Sequence, residues 1–266
     1  MHRLYAVAAL VSLAACGGGG SGATPDPTTT AISVTVSSPM RMGQTTQASG
    51  NATLSNGTSQ ALSAGWQSDA PGVATVTGAG IVTGVANGQA TIFIVSGGRQ
   101  GQQLIRVVPD YQGTWSGGLR VTSCSPSGAW ATERICDDFR VGSVFEYAVS
   151  FEQSGESMTA RVSYGSPLNF PVVSAPIRAD GTSSFTATQT VTESGFTFTV
   201  TVTFEINSAR VGDLTGTVTE VWRAPNISGE MRVVQDIVDT DRTSVNSLDE
   251  QPAVTTKAGS LRRLPQ

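Results

Sequence analysis

From about residue 31 onward, apolar and polar positions alternate in short runs with a period of two. The clearest run is Phe196, Phe198, Val200, Val202, Phe204 and Ile206, separated by threonines and a glutamate. Such a run is a strand with one buried and one solvated face. The same period joins Phe145, Tyr147, Val149 and Phe151, and again Met158, Ala160, Val162 and Tyr164. Between the runs stand Gln153-Ser154-Gly155-Glu156, Asp180-Gly181, Glu193-Ser194-Gly195 and Asn226 to Gly229, compositions that turn hairpins. No amphipathic helical stretch of useful length interrupts them, so the expected class is all-β.

Two units follow from the spacing. In residues 31–109 the candidate strands are Ile32 to Ser37, Thr45 to Leu54, Gln60 to Gln67, Val73 to Val76, Ile81 to Val85, Gln89 to Val95 and Gln102 to Val108. That is about seven strands in a short span, as in an Ig-like β-sandwich. In residues 111–244 they are Thr114 to Thr122, Val144 to Gln153, Ser157 to Tyr164, Phe170 to Arg178, Ser183 to Thr192, Phe196 to Ile206, Gly212 to Trp222 and Glu230 to Ile237. About eight strands in meander order predict an antiparallel β-barrel, whose interior fills with side chains or holds one small ligand. A second sandwich is the alternative for this unit. Residues 245–266 are polar and read as a loosely ordered tail.

The first unit resembles the bacterial Ig-like group 2 family. The resemblance is carried by Gly43-Gln44, Trp66, Ser68-Asp69, Val73-Ala74-Thr75-Val76, Gly80, Val82-Thr83-Gly84-Val85 and Gly88-Gln89-Ala90-Thr91-Ile92. It implies an extracellular module of adhesins and surface proteins, often a spacer whose partner is bound elsewhere on the chain. Gly113-Thr114-Trp115 resembles the G-x-W opening of lipocalin-like (calycin) barrels. That resemblance implies an arginine near the last strands, Arg223 or Arg232, packed over Trp115.

The N-terminus reads as an export signal, with Arg3 as its positive end and Leu4 to Leu13 as its apolar stretch. That stretch is too short to span a bilayer. Leu13-Ala14-Ala15-Cys16 resembles the lipobox of bacterial lipoproteins, which implies cleavage after residue 15 and a lipid on Cys16. Residues 16–30 are then anchor and linker, rich in Gly, Ser, Pro and Thr. Gly17 rather than Asp after the cysteine resembles lipoproteins sent to the outer membrane of a two-membrane bacterium. An ordinary cleaved signal followed by a free thiol is the other reading.

Charge and composition narrow the chemistry. Loss of residues 1–15 removes the only histidine, His2, and leaves 15 basic against 20 acidic residues, a net charge near −5. With one lysine, Lys257, there is no basic footprint for nucleic acid. Without histidine, Ser-His-Asp and Cys-His catalysis and histidine-ligated zinc are excluded. No cofactor, metal or catalytic residue is expected. Cys124 and Cys136 form an exported pair expected to be disulfide-bonded, worth about 3 kcal/mol. Asp236, Asp239, Asp241, Glu133, Asp137 and Asp138 are the densest carboxylates, and a solvated acidic face is favoured over a calcium site. Trp130, Tyr147, Tyr164 and Trp222 line either a core or a ligand pocket. Three function classes remain. The first is a surface binding or adhesion module for an unknown protein or glycan, the second a carrier of a small hydrophobic ligand, and the last a carboxylate-based hydrolase.

Overall fold

The computed structural model describes residues 25–132, 134–163, 168, 170–193, 195–208 and 210–244. It is all-β, an Ig-like domain followed by an eight-stranded antiparallel, nearly closed barrel.

In the first domain the strands are β1 (Thr29–Thr35), β2 (Met40–Arg41), β3 (Thr45–Gln47), β4 (Ser49–Leu54), β5 (Ser59–Leu62), β6 (Trp66–Ser68), β7 (Ala74–Val76), β8 (Ile81–Gly84), β9 (Gly88–Ser96) and β10 (Arg99–Val108). They pair as β1-β4-β5, β2-β10-β9-β6 and β3-β8-β7. The alternation in β9 sends Ala90, Ile92 and Ile94 inward, where they meet Val36, Met40, Met42, Trp66, Val82 and Val107 in one core. Trp66 is buried between the sheets. Gly80 has φ +84°, and a Cβ there would lie 2.8 Å from the Trp66 indole nitrogen, so both backbone conformation and space demand glycine. Two long expected strands are broken. Thr45 to Leu54 divides into β3 and β4, and Gln60 to Gln67 into β5 and β6, because their halves pair in different sheets.

The second domain contains β11 (Gly113–Pro126), β12 (Val144–Ser154), β13 (Ser157–Ser163), β14 (Val173–Pro176), β15 (Ser183–Glu193), β16 (Phe196–Asn207), β17 (Thr215–Ala224) and β18 (Ile227–Ser244). Their order is β14-β13-β12-β11-β18-β17-β16-β15. Among the described residues the two edges meet through the bridge of Ile177 to Ser183, which brings the sheet close to closure. Strand β14 is shorter than the expected Phe170 to Arg178; prolines at 171 and 176 lack the N–H a ladder needs. Strand β18 runs well past the expected Ile237. Its register against β11 shifts between Ser116 and Gly118, where Asp239 has a φ of 51°. This bulge keeps Asp236, Asp239 and Asp241 all exposed.

One end of the barrel abuts the Ig-like domain. Arg106 of β10 pairs with Glu156 in the β12–β13 turn at 3.2 Å and donates to the carbonyls of Arg178 and Ala179 at 3.3 and 2.8 Å. Asn87 also donates to the Ala179 carbonyl, at 3.2 Å. Asp110, between the domains, receives Arg41 from one side at 3.3 Å and Arg242 from the other at 2.8 Å. Gln153 fastens the linker by donating to the Pro109 carbonyl at 2.9 Å and accepting the Tyr111 N–H at 2.8 Å.

Candidate functional site

A meander places alternate connections at opposite ends of the barrel. The β12–β13, β14–β15 and β16–β17 turns face the Ig-like domain, so the β11–β12, β13–β14, β15–β16 and β17–β18 connections form the distal end. The longest of these begins with Cys124 on β11, bonded to Cys136. Between them, a short 3-10 helix, Gly128–Thr132, carries Trp130, whose side chain is fully buried in the barrel core. Backbone contact seats this loop on β18. The Ser127 N–H donates to the Glu230 carbonyl at 2.8 Å, and the Glu230 N–H donates to the Ser127 hydroxyl at 3.0 Å. Gly128, with φ +58°, lies where a side chain would strike the Ser228 carbonyl.

Beneath this cap, the interior is packed with aromatic rings. Phe185 and Phe204 stack with centroids 4.9 Å apart, and Phe198 and Trp222 stack at 5.4 Å. Tyr147 lies 6.4 Å from Phe204, and burial pushes its hydroxyl up to about 12. Of the aromatics singled out from the sequence, Trp130, Tyr147 and Trp222 are therefore brought into one core, and Tyr164 lies outside the described residues.

One carboxylate shares that interior. Glu220 of β17 is buried with Val218 and Trp222, the neighbours of like parity on its strand. The Trp222 indole N–H donates to it at 3.1 Å and the Gln235 amide at 3.0 Å. Removal from water favours the neutral acid, and although both donors oppose this, its pKa rises to about 7. Among the described residues, the buried Gln235 carbonyl oxygen and the Trp130 indole N–H have no hydrogen-bond partner. Sequence reasoning missed Glu220. The available signal was its spacing of two from both Val218 and Trp222.

The other candidates separate. Asp137 pairs with Arg134 at 2.9 Å, Asp236, Asp239 and Asp241 point to solvent from β18, and Glu133 lies outside the described residues. No group of acidic, histidine or cysteine side chains able to hold a metal occurs among the described residues. The arginine over Trp115 is neither Arg223, which pairs with Glu230, nor Arg232, which is exposed. It is Arg242, 4.5 Å from the ring centroid. The extension of β18 beyond Ile237 brings this residue opposite Trp115 in the ladder. Cys16 lies outside the described residues.

Fold and site together define a two-domain β protein: an Ig-like sandwich fixed to a packed, disulfide-capped barrel. Residues 28–107 match the family described as bacterial Ig-like domain (group 2), and this segment is such a domain. No curated protein matches the chain. Among solved structures, domains 5-6 of the S-layer protein SbsC align at 15% identity with a TM-score of 0.27, over 79% of this chain and 98% of that one. Domains 4-9 of surface layer protein SbsC align at 15% identity and the same TM-score, over 79% of this chain and 31% of that one.

Proposed function

We propose that this protein is a non-enzymatic cell-surface lipoprotein, held to the membrane by lipid on Cys16, whose Ig-like domain is a spacer presenting the barrel to a protein or glycan. The observation that carries the reading is the polarity of the barrel. Its near end is fastened to the Ig-like domain by Arg106, Arg41 and Asp110. Among the described residues, four of the barrel's five exposed large apolar side chains, Val141, Val144, Val172 and Phe196, lie at its distal end, and the fifth, Val211, is at the near end beside Gly43 of the Ig-like domain. An excess of exposed apolar groups at the end away from a fixed stalk is what a binding tip requires. The export signal, the lipobox-like Leu13-Ala14-Ala15-Cys16 and the Gly, Ser, Pro and Thr composition of residues 17–30 support attachment at the other end.

The test is fractionation and surface protease accessibility of cells producing the chain and its Cys16→Ala variant. The parent is expected in the membrane fraction and cleaved by external protease, the variant in the soluble exported fraction. Membrane retention of the variant overturns the anchor, and protection from protease overturns surface display.

The carrier reading draws on one observation, the polar atoms of Glu220, Gln235 and Trp130 inside the barrel. The ring packing around them favours a filled interior. Native mass spectrometry of the chain purified from an oxidising compartment separates the two: a specific extra mass lost on denaturation supports the carrier, and a bare mass the binding tip.

A further inference from the structure

The N-terminal segment of the Ig-like domain runs alongside its last strand in the same direction. Thr29 lies beside Gly97 in the β9–β10 turn, and Ile32 beside Gly101 near the start of β10. Val36 is bonded twice to the Gln103 side chain, its N–H donating at 2.8 Å and its carbonyl accepting at 2.7 Å. The Arg106 N–H donates to the Ser38 hydroxyl at 2.9 Å. Met40 and Arg41 then form a parallel ladder with Val107 and Val108, and the Met42 N–H donates to the Val108 carbonyl at 2.8 Å. The domain therefore begins and ends at opposite ends of β10. Tension between its two termini loads all these bonds at once, along the strands.

The barrel is strung the other way. Its first and last strands, β11 and β18, are antiparallel neighbours, and Thr114 is paired with Ser244 at the end where both leave the barrel. Tension between those ends opens the ladder one pair at a time.

We infer that the Ig-like domain is a tension-bearing link, built to resist a pull that the barrel alone would not withstand. Bonds loaded together must break together, so their barrier to forced unfolding is higher than that of bonds peeled in turn; forced unfolding follows that barrier rather than equilibrium stability. The biological load rests on the anchored-spacer reading above, whereas the order of mechanical strengths rests on strand direction alone. A stalk between a membrane and a bound partner is where such a link would act.

The experiment is to pull residues 17–266 in an optical trap through handles at both ends, with and without a dithiol reductant. Two unfolding events are expected. The weaker, from the barrel, releases about 430 Å of chain with the disulfide closed, and reductant lengthens it by about 40 Å. The stronger, from the Ig-like domain, releases about 250 Å once the length of β10 already spanned in the fold is subtracted, and is unchanged in length by reductant. Gln103→Leu, and independently Ser38→Ala, are expected to lower the force of the second event. Asn56→Ala, which loosens a turn held by two bonds from Thr58, is expected to leave it unchanged. The inference is overturned if the reductant-insensitive event comes at the lower force, or if Asn56→Ala weakens it as much as Gln103→Leu. Failure of Cys16→Ala to release the protein would remove the anchor and leave this force order standing.

Discussion

Arg242 lies across the face of Trp115, its guanidinium carbon 4.5 Å from the ring centroid, and the same guanidinium donates to the Asp110 carboxylate at 2.8 Å and the Asp110 carbonyl at 2.7 Å. Trp115 is itself fixed by donating its indole N–H to the Tyr111 carbonyl at 2.8 Å. One side chain at the end of the last strand thus closes the near end of the barrel and binds the linker to it. A cation over a desolvated ring contributes about 0.5–2 kcal/mol, and a hydrogen bond between charged groups about 1.5–3 kcal/mol. Arg242→Ala is therefore expected to cost about 2–4 kcal/mol of barrel stability. Arg242→Lys is expected to recover little of it, since a single ammonium cannot cover the ring and also bond both Asp110 oxygens. Urea unfolding of the three proteins checks this, and an unchanged midpoint for Arg242→Ala would refute it.

Glu220 makes the barrel sensitive to pH. Its carboxyl titrates near 4.5 when unfolded and at about 7 in the barrel, so the folded state holds a proton that the unfolded state releases. Below pH 4.5 both states are protonated and the group has no effect. As pH rises from 4.5 to 7 stability falls, and above 7 the full loss of about 3 kcal/mol is reached. Asp69 and Asp180 are held below the usual carboxylate range by hydrogen bonds from Thr91 and Thr182, outside this window, and the chain's one histidine, His2, precedes the described residues. Glu220→Gln is expected to flatten the stability profile between pH 5 and pH 8. It is tolerated because a reversed Gln235 amide would turn its unpartnered carbonyl oxygen toward the new donor. Denaturant midpoints at a series of pH values decide it; equal slopes for the two proteins would refute the assignment.

Much of this architecture lies near the surface of the sequence, because period-two alternation survives wherever one face of a strand is buried. Phe196 to Ile206 reads as a single strand for that reason, and β16 follows it. Legibility fails where a bulge or a distant register decides. The second half of β18 looks polar because Asp236, Asp239 and Asp241 all face water, an arrangement that only the irregularity opposite Gly117 permits. Arg242 meets Trp115 from the far end of the domain, a pairing set by those same shifts. Glu220 was hidden by its chemistry, since a glutamate between Thr219 and Val221 suggests a solvated position until Trp222 and Gln235 supply its donors.

The disulfide and Trp130 make one unit, and each reports on the other. The bond between Cys124 and Cys136 closes a loop with a sequence separation of 12, and that loop holds the fully buried Trp130 in the barrel core. Opening it frees the chain around the 3-10 helix and raises the entropy lost on seating the indole, at an expected cost of about 3 kcal/mol. The loop stays pinned at Ser127 by its bonds with Glu230, so a variant carrying Cys124→Ser and Cys136→Ser is expected to remain folded with a melting temperature several degrees lower. Local release of Trp130 should precede global unfolding. Between about room temperature and the onset of melting, tryptophan emission should shift to the red in the double variant but not in the parent. Trp130→Phe introduced into the double variant should abolish that shift, because Trp66, Trp115 and Trp222 are held by other contacts. If the shift persists without Trp130, the loop is not what moves, and the coupling between disulfide and indole is wrong.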